Sequence, residues 1–141
     1  MQMEEQECRS RFSAAPRGVL ATCGVDRRPH LVPVTFAVAG DVVVTAVDHK
    51  PKTTTRLRRL RNIAENPSVA FLLDHYEQDW EHLWWVRVDA AATVVEDGPR
   101  WEEAVGWLVE RYPQYRAQPP AGPVIRAEVT RWSGWSGWSA S

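Results

Sequence analysis

The apolar residues of this chain come in short runs broken by turn residues, a rhythm that restricts it to a fold built mainly from hairpin-connected strands. Gly18-Val-Leu-Ala-Thr-Cys23 reads as a strand and Gly24-Val-Asp-Arg-Arg-Pro29 as the turn that leaves it. Residues 30–38 read as a second strand with Pro33 inside it. Proline has no N–H to give a ladder, so this strand needs an edge, a bulge or a ligand on that side. Gly40-Asp41 makes a two-residue hairpin turn into the strand 42–47. Strands follow at 68–73, 83–95 and 124–132.

Three helices interrupt them. A short one is expected over residues 3–12, ended by Ala14-Ala15-Pro16. Residues 53–65 form the first convincing helix: Leu57, Leu60, Ile63 and Ala64 share a face, and Asn66-Pro67 stops it. Asp97-Gly98-Pro99 reads as an N-cap and helix start, followed by a stripe of Trp101, Ala104, Val105, Leu108, Val109 and Tyr112. Residues 114–123 read as a Pro-rich loop. The expected architecture is mainly β (α+β), a six-stranded antiparallel split β-barrel with flanking helices. One domain over residues 1–141 is expected, with residues 136–141 a frayed tail.

Charge narrows the function. The net charge is −1, against a protein that coats nucleic acid, yet it is sharply patterned. Lys50, Lys52, Arg56, Arg58, Arg59 and Arg61 fall in one run without an acid, and Asp74, Glu77, Asp79 and Glu81 in another without Lys or Arg. The basic run opens a helix behind Thr53, Thr54 and Thr55. Unpartnered N–H groups and the macrodipole at such an end suit a phosphate. A solvated basic face is the plain alternative.

Other chemistries lack their signatures. There is no GxSxG, GxGxxG, Walker A or HExxH spacing, no residue stands out as a catalytic acid or base, and no metal site is expected from His30, His49, His75 and His82. Cys8 and Cys23 show no metal spacing, no run of apolar residues is long enough to cross a membrane, and the start is acidic. A cytoplasmic protein without membrane or nucleic-acid partners is expected. The tail Trp132-Ser-Gly-Trp135-Ser-Gly-Trp138 is set aside from secreted WSxWS modules, which come with disulfides. Trp84 and Trp85 point to opposite faces of their strand, and either the cofactor or an interface is open to Trp85.

His30-Leu-Val-Pro-Val-Thr-Phe36, Lys50-Pro-Lys52, Leu57-Arg-Arg-Leu60 and Asn62-Ile-Ala-Glu-Asn-Pro67 together resemble the pyridoxamine 5′-phosphate oxidase-like split-barrel superfamily. Asp74-His-Tyr76, Asp79-Trp80, Leu83-Trp-Trp-Val-Arg87 and Arg131-Trp-Ser-Gly-Trp135 resemble its actinobacterial F420-dependent oxidoreductases. The resemblance implies a homodimer with coenzyme F420, or alternatively FMN, in a cleft between subunits, acting on a small-molecule substrate. It implies that the backbone of Pro33, Val34 and Thr35 flanks the ring, and that Lys50, Lys52, Thr53 and Arg56 or Arg58 hold the phosphate. Trp85 is placed toward the cofactor. A non-catalytic cofactor or anion binder is the remaining alternative.

Overall fold

The computed structural model describes residues 1–47 and 54–137, and of residues 54–57 the backbone alone. Its elements are α1 (Glu5–Ala14), β1 (Gly18–Cys23), β2 (Pro29–Val34), β3 (Ala37–Ala39), β4 (Val42–Ala46), α2 (Thr54–Glu65), β5 (Ser68–His75), β6 (Trp84–Val95), α3 (Pro99–Arg111), α4 (Pro113–Ala117) and β7 (Val124–Ser136). The seven strands form one antiparallel sheet in the order β2-β1-β5-β6-β7-β4-β3.

The count is seven strands rather than the six expected, because the stretch read as one strand over 30–38 breaks at Thr35-Phe36. Its halves join opposite edges of the sheet: β2 pairs with β1, and β3 pairs with β4. Pro33 thus lies on an edge strand, where a missing N–H costs no ladder bond. The split also dictates the shape. Seven strands laid flat span about 29 Å at about 4.8 Å per spacing. The Val34–Ala37 Cα separation cannot exceed about 11 Å, three peptide steps of 3.8 Å. The sheet has to curl until its two edges meet at this seam.

The seam's backbone groups find side chains instead of a neighbouring strand. Thr45 donates its hydroxyl to Thr35 O at 2.7 Å. The Tyr112 hydroxyl accepts from Phe36 N–H at 3.1 Å and lies 2.9 Å from Phe36 O and 3.0 Å from Pro16 O, to which it can donate. The Arg111 guanidinium donates to both Phe36 O and Ala15 O. Inside, Phe36 stacks on Phe12 of α1 at 4.4 Å between ring centroids, and Phe71 and Trp132 meet Phe12 edge-on at 6.0 and 5.8 Å. All three phenylalanines are fully buried.

Alternation along the strands follows from this closure. Val86, Val88, Ala90 and Ala92 of β6 point inward, as do Leu20 of β1 and Phe71 and Leu73 of β5. β4 is buried on both faces, Val43 toward the barrel interior and Val44 against Ala104 and Leu108 of α3, which explains its unbroken valine run. The register of β6 on β7 shifts between Asp89 and Ala90: Asp89 faces Arg131 and Ala90 faces Val129. Thr130 is the extra residue of this bulge, and its hydroxyl donates to Asp89 O at 3.1 Å.

Several local expectations are corrected. Asp97 does not cap α3. Gly98 is the N-cap residue, at a left-handed φ of 89° that favours glycine, and Pro99 opens the helix. The loop expected over 114–123 contains α4, which is packed through Tyr115 on Tyr112. The tail is held further than expected: β7 runs through Ser136, whose N–H donates to Met1 O at 2.9 Å, and Gly137 N–H donates to Leu83 O at 2.8 Å. Residues 138–141 lie outside the described residues. Among the described residues no helix is long and apolar enough to cross a membrane.

Removing the Tyr112 hydroxyl leaves the Phe36 N–H at the seam without its acceptor. Tyr112→Phe is expected to lower stability by about 1–3 kcal/mol, measured as a shift in the urea midpoint at unchanged m-value.

Candidate functional site

Two regions of the barrel gather residues that could form a site. The first is α2. Its second half is fastened to the β1–β2 turn: Asn62, buried, donates to Thr22 Oγ1 at 3.1 Å, and Glu65 Oε1 accepts from Val25 N–H at 3.0 Å. Gly24 makes this possible, since a Cβ there would lie 2.4 Å from Glu65 Oε1 and 2.7 Å from Asn62 Oδ1. Leu60 and Ile63 pack on the core as the stripe required. The helix is thereby anchored along its C-terminal half, with its N-terminus carried toward the segment that follows β4.

Lys50, Lys52 and Thr53 fall outside the described residues, as does the side chain of Arg56. Arg58 is described and turns to Asp26 of the β1–β2 turn, Nη2 to Oδ2 at 3.3 Å. The Arg28 backbone N–H, and then Arg58, hold the Asp26 carboxyl below the usual carboxylate range. Arg59 departs from a solvated face, being only 7% exposed. Across from it His30 turns inward from β2, its Nδ1 buried without a hydrogen-bond partner among the described residues. Burial first, and then Arg59 and Arg58, push the His30 pKa below its ordinary value.

The second region is the outer face of the sheet. α3 covers this face on β3, β4 and the start of β7, but β2, β1, β5 and β6 are left bare. In register, Pro33, Val19, Leu72, Arg87 and Ser133 make one row across five strands, and Leu31, Ala21, Ala70, Asp89 and Arg131 make the next. Leu31 is 62% exposed and Leu72 is 45% exposed, an unusual pair of open aliphatics on one surface. Where β5, β6 and β7 run past the end of β1, the face deepens into a groove of about 490 Å³. Leu72, Asp74, Tyr76, Trp85, Arg87 and Trp135 line it.

Trp84 and Trp85 divide as alternation requires. Trp84 packs on the core, with Arg11 over its ring at 4.9 Å and His75 stacked at 6.3 Å between centroids. Trp85 lies on the outer side, directly across from Trp135. Of the residues expected to flank a ring, Pro33 is exposed on the bare face, Val34 is buried in the core, and Thr35 is half-buried with Oγ1 bonded to the Tyr115 hydroxyl at 3.0 Å. The structure thus gathers Pro33 and Trp85 on one face and keeps Val34 and Thr35 at the seam. At the rim of the groove His75 and His82 come together on Glu77, Nε2 at 2.7 Å and Nδ1 at 3.3 Å from its two oxygens. That contact raises the His82 pKa.

Sequence reasoning missed Arg87, His30 and Arg59 as site residues. Only the alternation from Trp85 could have signalled Arg87. The burial of Arg59 and the inward turn of His30 depend on how α2 crosses the barrel end.

The family model for pyridoxamine 5′-phosphate oxidase matches residues 4–136. The chain belongs to the pyridoxamine 5′-phosphate oxidase family. Solved structures with this fold include a conserved hypothetical protein of Mycobacterium tuberculosis, 24% identical, with a TM-score of 0.73 over 95% of this chain and 85% of that one. An FAD-binding protein of Mycobacterium smegmatis is 21% identical, with a TM-score of 0.63 over 96% of both chains. HutZ, described as a heme storage protein of Vibrio cholerae, is 19% identical, with a TM-score of 0.70 over 95% of both. No curated protein matches the sequence.

His30 gives the site a pH signature. Its folded pKa lies below its ordinary value, so between the two the unfolded chain binds the extra proton. The stability it contributes is present above about pH 6.5 and is lost as pH falls through the folded pKa. Wild-type protein is expected to lose more stability than His30→Gln between pH 7.5 and 5.5, read from urea midpoints.

Proposed function

We propose that this chain is an F420-dependent oxidoreductase of the pyridoxamine 5′-phosphate oxidase family, working as a cytoplasmic homodimer on a small organic substrate. The observation that carries the proposal is the bare apolar sheet face. It starts at Pro33 beside the seam, runs through Val19 and Leu72, and ends in a groove lined by Trp84, Trp85, Trp135 and the Arg87 guanidinium. A flat, uncharged ring system fits such a surface. The seam joins it to the cationic segment, because Thr35 is tied to Thr45 near the end of β4, from which the chain enters residues 48–53.

When bound, the deazaflavin supplies two-electron hydride chemistry, and the protein contributes position, charge and exclusion of water. Pro33, Val34 and Thr35 offer backbone along the ring edge. Lys50, Lys52, Thr53 and Arg56 provide ammonium, hydroxyl, helix N–H and guanidinium groups for the phosphate. Arg58, engaged with Asp26, adds positive potential rather than a direct contact. The surplus of arginines along α2 suits the acidic tail of this coenzyme.

Geometry also supports the dimer. Pro33 and Trp85 lie on strands three spacings apart, at least about 14 Å along the convex face. One tricyclic ring touches both kinds of residue only if two copies meet face to face, so that Trp85 of one closes over the ring held by the other. Burying Leu31 and Leu72 in that contact removes two exposed leucines from water. Cys8 and Cys23 are free, as a reducing compartment would leave them.

FMN is the second reading, favoured by the solved neighbour described as FAD-binding. Equilibrium titration of the purified protein with F420 and with FMN separates the two. The expectation is F420 binding with a Kd below about 100 μM, or roughly −5.5 kcal/mol, and weaker FMN binding. Failure of both ligands leaves the non-catalytic reading. Lys52→Ala is expected to weaken F420 binding by about 1–3 kcal/mol through loss of a charged hydrogen bond. Leu72→Glu places a charge in the proposed interface. It is expected to give a monomer by light scattering and to lower F420 affinity at least about tenfold, which is 1.4 kcal/mol.

A further inference from the structure

The groove at the far end of the Pro33 row has a polarity that a ring-stacking role does not use. Its lining is largely apolar: Trp85 and Trp135 stand side by side as a register pair of the β6–β7 ladder, and Leu72 and Tyr76, 45% and 70% exposed, stand on the β5 side. Arg87 is its guanidinium, two residues from Trp85 on the same face of β6 and directly opposite Leu72. Among the described residues Arg87 is engaged through Nε alone, with Asp89 Oδ2 at the long distance of 3.5 Å, which leaves the two terminal nitrogens for a ligand. The carboxylates gather toward the other end: Asp74 lies opposite Trp85, and Glu77, Asp79 and Glu81 follow in the connection to β6.

We propose that this groove is the substrate subsite and that it selects planar conjugated carboxylic acids, the ring lying against the paired indoles of Trp85 and Trp135 and the carboxylate on Arg87. The inference rests on the reading above in one respect: hydride transfer needs the substrate within about 3–3.5 Å of the cofactor ring, and the groove adjoins the face assigned to that ring. The selectivity itself follows from this chain's residues. A guanidinium fork matches a carboxylate with two parallel N–H donors. Indole faces hold a flat ring by offset or edge contact. Asp74 repels an anion bound in the reverse sense, so a monocarboxylate is held in one orientation. A neutral planar compound keeps the stacking and loses the fork. A non-planar acid keeps the fork and loses the stacking.

The test uses the full chain without cofactor, so it does not depend on whether F420 binds. Calorimetric titration with 2-naphthoate and with its neutral counterpart, 2-naphthalenemethanol, reads the charge preference directly. The acid is expected to bind at least about tenfold more tightly. In Arg87→Gln the ratio is expected to fall within about twofold while the neutral probe's affinity holds, and Arg87→Lys is expected to retain part of the preference. Trp85→Ala is expected to weaken both probes together. Equal affinity for the two probes, a preference that survives Arg87→Gln, or no binding of either at millimolar concentration would each overturn the proposal. F420 titration of Arg87→Gln separates the two readings: unchanged F420 affinity with lost acid preference assigns Arg87 to the substrate. Loss of F420 affinity instead makes the groove part of the cofactor site and overturns the proposal.

Discussion

Two residues, Thr35 and Phe36, join strands that belong to opposite edges of the same sheet, and the barrel follows from that connection. No ladder hydrogen bond closes the seam between β2 and β3. It is closed by covalent continuity and by side chains sent from elsewhere: Thr45 from β4, Arg111 from the end of α3, Tyr112 just beyond it and Tyr115 from α4. Buried backbone polar groups must find partners, so the seam obliges α3 and α4 to dock where they do. Phe36 is then driven inward against Phe12, and α1 becomes the plug of the barrel. The same departure from ladder pairing leaves the neighbouring Pro33 on an open surface.

Much of this was legible where local signals are strong. Strand β1 has the bounds its apolar run implied, the Gly40-Asp41 turn joins β3 to β4, and the stripe of Trp101, Ala104 and Leu108 is the face α3 buries. The seam was not legible, because residues 30–38 carry one continuous apolar pattern. A strand that changes partners halfway looks the same in sequence as one that does not. The N-cap of α3 moved from Asp97 to Gly98 because backbone conformation outweighed side-chain capping there. Burial of Arg59 escaped notice for a related reason. A helix laid across a barrel mouth buries more of its circumference than its apolar stripe covers.

The candidate site divides along the same line. The cationic half proposed for it rests on a run of like charges opening a helix, a local signal that needs no tertiary knowledge, and Lys50, Lys52 and Thr53 lie outside the described residues. Its apolar half is an assembly of residues far apart in sequence, Pro33, Leu72, Arg87 and Trp135, which only strand order and register bring to one face. Trp85 could be placed on the outer side from alternation alone, but nothing in the sequence said which strands would stand beside it. The cofactor class is a reading of the family resemblance, and the fold supplied the surface proposed for it.

The bulge at Thr130 has a consequence for the tryptophan-rich end of the chain. Before it, Ile125 and Ala127 point into the barrel; after it, Trp132, Gly134 and Ser136 do. One unpaired residue has reversed the parity of β7. A Trp-Ser-Gly repeat has period three, and on a strand of period two its successive tryptophans fall on opposite sides. Trp132 therefore belongs to the interior and Trp135 to the open groove. What looks like a repeated motif is one residue type used for two unrelated purposes, and the bulge at Thr130 sets which of the two faces inward. Length changes between Thr130 and Trp135 are tolerable only in twos, since a single insertion would exchange the strand's inner and outer faces from that point on.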